Sequence, residues 1–594
     1  MHLLFGEGVE AWRASAWATS IIAAMVIARS CADPQIRLVV LATLVAVLGP
    51  LLVKAAAELG WEHQAMVNTL GTLQAEGVDT SLSSPQLVAR VQEPVIRAWM
   101  TTPNLLAGVL VAMVVVWLSL AVVAIRRGLD HGWWALCGAV GLLGAAGVVL
   151  TGSKAGILAL VMVAGLTVVS VTPLKRIGSR WGGWLAVALV LAVPVVVVLR
   201  GMMGEEALGQ ERSALVRYHY LIGAAGAWWE QIVMGIGIGS FQEAYTHFRP
   251  LGATEEVQST HNAIVDWIAM LGVAGVLWVI VFVNVVRRCG RALFAAASPH
   301  GEDSAVPWQR VVIITILGGI VLRFPWLPMG DLLSLTVECV AAAALVILAL
   351  VVCQIAQGAV QRPIWIAAAI AAVAVAVLGQ ADMLFFAPAT VGWVWMVLAA
   401  GGPTIIVCSH YRLEHRITGA VAAIFLGVGC IVTAQEATVT TGVMAHHAAI
   451  VAAAADPAPE KIAAGEALIA GGTWIAPRVL AATLLLESPS TRGRGVAALG
   501  QIATLDANHA IAASIAAGSG HDEELLDAVD AIVAADPNGL LSWWVWSRVM
   551  ETMGRRDEAR EGWVKVIEID DAWQLDTLRR LPDAARQIVH DKAQ

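Results

Sequence analysis

Residues 200 to 275 read RGMMGEEALGQERSALVRYHYLIGAAGAWWEQIVMGIGIGSFQEAYTHFRPLGATEEVQSTHNAIVDWIAMLGVAG. The stretch is a polar interruption bearing arginines and histidines between long apolar segments, and it ends as the chain re-enters one. Charged groups held at the edge of a hydrocarbon layer are unfavourable and usually functional. The apolar runs around the stretch therefore decide the fold, and the stretch itself is where chemistry is expected. Of the 594 residues, 58% are hydrophobic and 14% charged, and the mean hydropathy is +0.74. Such a balance excludes an ordinary soluble protein and points to a polytopic membrane protein. A net charge of -8 argues against nucleic acid as a partner.

A run of roughly 20 apolar residues crosses a hydrocarbon core. Such runs centre on Ser15 to Ala28, Ile36 to Ala57, Leu105 to Ile125, Trp133 to Leu150, Gly156 to Val171, Trp181 to Leu199 and Ala263 to Val286. Further runs follow at Val311 to Leu327, Leu332 to Cys353, Ile364 to Leu378, Val391 to Cys408 and Ile417 to Thr433. Backbone groups cannot go unpaired in lipid, so all are expected to be helices, about twelve spans in an all-α chain. The first run lacks a basic leader and is followed at once by others, so it reads as an anchor and not as a cleaved signal. Cys137, Cys353, Cys408 and Cys430 lie in apolar runs without metal-ligand spacing and read as small buried side chains.

Arg29, Arg37, Arg126, Arg127, Lys175, Arg176, Arg180, Arg287, Arg288, Arg291, Arg362, Arg412 and Arg416 fall on one side when the spans alternate, and that side is assigned to the cytoplasm. The loops 60–103, 151–154, 200–262 and 323–331 then face outward, as does everything after Thr433. The expected division is a membrane domain over 1–434, with its outward loop at 200–262, and a soluble extracytoplasmic helical domain over 435–594. The outward side nevertheless carries Lys154, Arg200, Arg212, Arg217, Arg249 and Arg323, against the usual bias.

In the tail, Asp536-Pro537-Asn538 opens a helix, and Trp543, Gly554, Ala559 and Trp563 match tetratricopeptide positions. Asp536 and Asp570 recur one period of 34 apart, and the turns at Ala455-Asp456-Pro457 and Leu505-Asp506-Ala507 suggest degenerate copies upstream. Stacked helix pairs form protein-binding surfaces, so the tail is expected to dock a partner. An unrelated helical hairpin domain is the alternative.

Three pieces of the outward side can carry chemistry. Arg217-Tyr-His-Tyr-Leu221 is followed by Gly235, Gly237 and Gly239, whose backbone can approach a ligand closely or simply bend at the interface. His261-Asn262 stands nine residues before Gly272-Val-Ala-Gly275, where the His could equally be a hydrated helix cap and the glycines a face for close helix packing. Gly152-Ser153-Lys154-Ala155-Gly156 puts a cation at the start of a span, where snorkelling would also explain it. Asp266, one turn into the next span, could orient His261 or pair with an arginine. His219 and His247 read as solvent-facing or structural.

In this order and on one side, the pieces resemble the O-antigen ligase and Wzy-type polymerase superfamily of bacterial surface-polysaccharide enzymes. The likeness covers Leu105 to Val286 and rests on Arg217-x-x-x-Leu221 with its following glycines and on the His261-Asn262-x9-Gly-x-x-Gly signature. The family's Ser-Arg-Gly motif appears here as Ser153-Lys154-Ala155-Gly156, which keeps a charge and loses the bidentate fork of arginine. The Pro that often precedes the family's glycine run is replaced by Gln231 to Met234.

The resemblance implies a multi-pass enzyme of the bacterial cytoplasmic membrane. It moves a glycan from a polyprenyl-diphosphate carrier to a hydroxyl of a lipid-core, glycan or protein acceptor on the outer face, without metal or nucleotide cofactor. Arg217 would stabilise the departing diphosphate, supported by Lys154, Arg200, Arg212 and Arg249. His261 would accept the acceptor's proton or position it, with Asn262, Gly235, Gly237 and Gly239 in the binding site. A transporter or flippase and a non-catalytic scaffold are the other readings. The spans lack the mid-membrane charges and paired halves of transporters, and a scaffold leaves the arginines and histidines unexplained.

Overall fold

The computed structural model describes residues 31, 34–75, 93–100, 102–172, 175–203, 212–237, 240–255, 257–294, 332–356, 362–387, 390–402, 523–573 and 580–594. Among these the regular structure is entirely helical. In chain order the helices are α1 (Pro34–Ala46), α2 (Leu48–Ala57), α3 (His63–Ala75), α4 (Pro103–Arg126), α5 (His131–Leu150), α6 (Lys154–Val171), α7 (Lys175–Gly201), α8 (Arg212–Glu230) and α9 (Phe241–Phe248). They continue with α10 (Ala263–Leu271), α11 (Val273–Ala292), α12 (Leu332–Ala356), α13 (Arg362–Leu378), α14 (Val391–Gly401), α15 (Glu523–Ala535), α16 (Leu540–Thr552), α17 (Arg556–Ala572) and α18 (Asp583–Ala593).

Six of the described helical stretches are long and apolar enough to cross a membrane: 37–72, 103–126, 131–150, 180–201, 273–292 and 333–356. The apolar helices at Lys154–Ser170, Arg362–Leu378 and Val391–Gly401 are shorter. The expected runs at 15–28, 311–327 and 417–433 lie outside the described residues, as do the turns at 455–457 and 505–507.

Helix α4 sits at the centre. Thr102 caps it by accepting from the Leu105 N–H at 3.3 Å, Pro103 opens it where a missing N–H is harmless, and Arg126 lies in its last turn. Gly141, Gly144 and Gly147, three apart on α5, face it: a Cβ on each would come within 3.0 Å of Leu118, Val114 and Leu110. Small residues at this spacing let two backbones approach in a medium that offers no hydrophobic drive for helix pairing.

Arg37 and Arg127, both assigned to short loops, lie at one end of the bundle. Arg37 donates to the Ala400 carbonyl at 2.6 Å and lies over the Trp365 ring. Arg127 donates to the Ile355 carbonyl at 2.6 Å. Both supply donors to the orphan carbonyls at the C-termini of α14 and α12, where the helix dipole also favours a cation. At the opposite end, Leu384 covers Gly108, Tyr218 covers Gly201, and the Ala263 N–H reaches the Gly379 carbonyl at 3.0 Å.

Three expectations change. The apolar run from Ala263 to Val286 is not one helix: Gly272 adopts φ +56° and separates α10 from α11. A Cβ on Gly275 would stand 2.0 Å from the Trp267 carbonyl oxygen, so Gly272 and Gly275 serve a tight corner and not a helix-helix face. Within 200–262 the described residues form α8, packed against α7 and α10, and α9, and the expected loop after Gly60 begins as helix, a π turn at Glu58–Glu62 leading into α3.

In the tail, α16 and α17 form a hairpin whose turn is Gly554 at φ +75°. Ala559 and Trp563 are buried between them, and the Trp563 indole N–H donates to Glu551 at 3.0 Å.

Candidate active site

The site is built where the start of α10 meets the end of α13. The first N–H groups of α10 and the last carbonyls of α13 lack partners in their own helices, and each set supplies the other. Ala263 N–H donates to the Gly379 carbonyl at 3.0 Å, Asn262 Nδ2 to the Gln380 carbonyl at 3.0 Å, and Ile264 N–H to Gln380 Oε1 at 3.2 Å. Asn262 also caps α10, its Oδ1 accepting from the Val265 N–H at 3.2 Å.

Asp266 fixes the turn that precedes this junction. It is wholly buried and accepts from Ser259 Oγ at 2.6 Å, Thr260 N–H at 2.7 Å and Thr260 Oγ1 at 2.8 Å. Ser259 Oγ in turn accepts from the His261 N–H at 2.9 Å. The result is a His261 backbone at φ +58°, a left-handed conformation that a non-glycine residue adopts only when its surroundings impose it. The hydrogen bonds of Asp266 thus hold the backbone around His261 through Ser259 and Thr260.

The ring is held by other elements. His261 Nδ1 lies 3.2 Å from Asp382 Oδ1, with Asp382 nearly buried in the turn after α13 and the His261 side chain 24% exposed. Tyr220 of α8 stacks on the imidazole with ring centroids 5.7 Å apart, and its hydroxyl donates to Glu255. Burial alone would push the Asp382 carboxyl up. The hydrogen bond and charge of His261, the Met383 N–H and the charge of Arg217 outweigh it and hold that carboxyl below its ordinary value. Arg217, one turn before Tyr220 on α8, thus acts on the same carboxylate as His261, and it also donates to Ser213. Burial and the neighbouring Glu255 carboxylate push the Tyr220 phenol well above its usual range, keeping it a neutral donor.

The other sequence candidates separate. Arg200 is at the end of α7, brought to this end of the bundle by the packing of Tyr218 on Gly201. Lys154 is exposed at the start of α6, where Ser153 caps the helix by accepting from the Gly156 N–H at 3.0 Å. Arg212 opens α8. Gly239 lies outside the described residues.

Gly235 and Gly237 approach the end of α10. Ile236 and Gly237 N–H groups donate to the Ala269 and Met270 carbonyls at 3.0 Å, and Val273 N–H to the Val233 carbonyl at 3.1 Å. A Cβ on Gly235 would lie 2.5 Å from Gly272 N. Arg249 is buried and paired with Asp536 of the tail. Asn262 is a buried cap. His247 accepts a structural place against the Ala534 carbonyl, 2.9 Å away, and burial holds the half-buried His219 imidazole below its ordinary value.

Sequence reasoning missed Asp382. Its only signal was an acid in the polar turn Gln380-Ala381-Asp382 that ends an apolar run far from the motifs. An apolar cleft of about 430 Å³ opens beside the site between α7, α8 and α10, lined among others by Val198, Leu199, Leu221, Trp228, Val265 and Ile268.

Residues 139–280 match the family model described as O-antigen ligase. The matched segment holds Lys154, Arg217 and His261, and the match supports the O-antigen ligase and polymerase superfamily and, in general terms, a membrane glycan-transfer or ligation role. Asp382 and Asp536 lie beyond that segment. No curated protein matches the chain, and no solved structure matches it.

Proposed function

We propose that the chain transfers a glycan from a polyprenyl diphosphate to an acceptor hydroxyl at the outer face of the bacterial cytoplasmic membrane. The observation that carries this reading is the His261 ring, hydrogen-bonded to Asp382 and stacked on Tyr220, with Arg217 one turn away on the same helix. An ionised Asp382 keeps the proton on Nδ1 and leaves the Nε2 lone pair available to the acceptor. The acceptor oxygen then bonds to the anomeric carbon and its proton passes to His261 Nε2. The bond from that carbon to the diphosphate breaks, and its electron pair leaves with the diphosphate oxygen. Arg217 stabilises the charge that develops there, with Arg200, Lys154 and Arg212 as supporting cations.

The apolar cleft accounts for the lipid half of the donor. Leu221, on its wall, is one helical turn from Arg217, and Leu199 is the neighbour of Arg200. A slot with cations beside it suits an isoprenoid chain ending in a diphosphate. The arginine-rich end of the bundle lies opposite the site, which supports an outward site by the bias of basic residues to the cytoplasm.

The test is deletion of the gene in its host with complementation by Arg217→Ala and His261→Ala. Both variants are expected to insert normally and to give no transfer. Normal product from either refutes the assignment. In the deletion strain, complete lipid-linked chains accumulate if the enzyme is a ligase, whereas long chains are lost if it is a polymerase.

A further inference from the structure

The tail is tied to the site's scaffold by contacts of unusual burial. Arg249, which follows α9, donates through Nε and Nη2 to Asp536 Oδ1 at 2.9 and 2.7 Å, and through Nη2 to Oδ2 at 2.6 Å. The side chains are 4% and 2% exposed. Asn538 Nδ2 donates to the Arg249 carbonyl at 2.8 Å, Trp573 Nε1 to the Leu251 carbonyl at 3.1 Å, and the His247 ring meets the Ala534 carbonyl at 2.9 Å. Leu251 packs into the same apolar cluster as Leu540, Trp563, Val566 and Trp573. Ser542 Oγ completes the shell of Asp536 at 3.1 Å. An ion pair taken this far out of water is stable only with such complete hydrogen bonding, and removing one partner leaves the other charge buried and unpaired.

The clamped segment leads directly to the site. Gly252 sits between the Ala572 carbonyl of the tail and the His219 ring of α8. Three residues further on, Glu255 accepts from the hydroxyl of Tyr220, and Tyr220 stacks on His261. We propose that the C-terminal helices are a fixed wall of the active site, in which Asp536 and Arg249 are positioning residues that set the pose of His261 through residues 249–255 and the Glu255–Tyr220 pair. The inference rests on the assignment of His261 as the reacting base.

The experiment uses the full-length protein and its variants in membranes of the host deletion strain, whose endogenous lipid-linked glycan is the donor. The initial transfer rate is read beside proteolytic release of the tail. Asp536→Asn is expected to expose the tail to protease and to lower the rate at least tenfold, and Tyr220→Phe to lower it with the tail still docked. Because both act on one path, the double variant Asp536→Asn/Tyr220→Phe is expected to be no slower than the slower single variant. Should Asp536→Asn not accumulate, Trp573→Phe removes only the hydrogen bond to Leu251 and replaces it in the cycle, with a rate loss of about threefold expected. A wild-type rate in the docking variant, or losses that multiply in the double variant, overturns the inference. His261→Ala separates the two levels: a normal rate there overturns the site assignment and this inference with it. An inactive His261→Ala beside a fully active docking variant overturns this inference alone.

Discussion

His261 has a left-handed backbone in a non-glycine residue, which among the described residues it shares with Ala98, and its ring is pinned by groups from two other elements. Such strain, of order 1–3 kcal/mol, persists only where the surroundings over-determine it. Here Ser259, Asp266 and Asn262 do so. The Asp382 carboxyl, held below its ordinary value, makes a stability prediction with a definite sign. Its contribution is full above the unfolded-state value of about 3.9 and is lost as pH falls through its lower folded-state value. Thermal stability in detergent is expected to fall in the acid range below about pH 4, and Asp382→Asn is expected to show a shallower fall there. A second prediction concerns Arg217. Arg217→Lys keeps the charge and loses the planar fork, so transfer is expected to drop about tenfold or more while Arg217→Ala loses it altogether; initial rates in membranes would check it. At this scale the sequence named His261 and Arg217 through their motif spacing. Asp382 was not legible, because its partner lies 121 positions away and no local pattern joins a span-ending turn to a histidine.

At the scale of elements, the site depends on helix ends and not on helix faces. The α10 start and the α13 end satisfy each other's orphan groups, and the glycine run closes on the other end of α10. Gly235 is at φ +70° with a Cβ position 2.5 Å from backbone atoms, and Gly272 at φ +56° with one 2.4 Å from the Val233 carbonyl. Neither can yield by rotating a side chain. Gly235→Ala and Gly272→Ala are each expected to destabilise by about 3 kcal/mol or more, combining left-handed strain and overpacking. The observable result is a variant that accumulates poorly or melts early in detergent. The glycines were visible in the sequence, but their partner was not. A run such as Gly235 to Gly239 reads alike whether the backbone it admits belongs to a ligand or to the protein. Similarly, hydropathy saw one span from Ala263 to Val286, because a corner at Gly272 leaves the apolar count unchanged.

At the scale of the whole molecule, two polar systems among the described residues sit at opposite ends of an apolar bundle. Arginines cap helix C-termini at one end, and His261, Asp382, Tyr220 and Arg217 assemble at the other beside an apolar cleft. The lipid setting and the helical class were legible from composition alone, since long apolar runs leave the backbone no other way to pair. The attachment of the tail was not. Arg249 looked like another outward cation, and only the fold brings Asp536, 287 positions away, against it. The central claim is that His261, held by Asp382, takes the acceptor's proton in a glycan transfer. It is tested most directly by the rate of transfer from endogenous lipid-linked glycan by Asp382→Asn, measured in membranes of the deletion strain. The expected result is a rate about 100-fold below wild type. A wild-type rate would contradict the account.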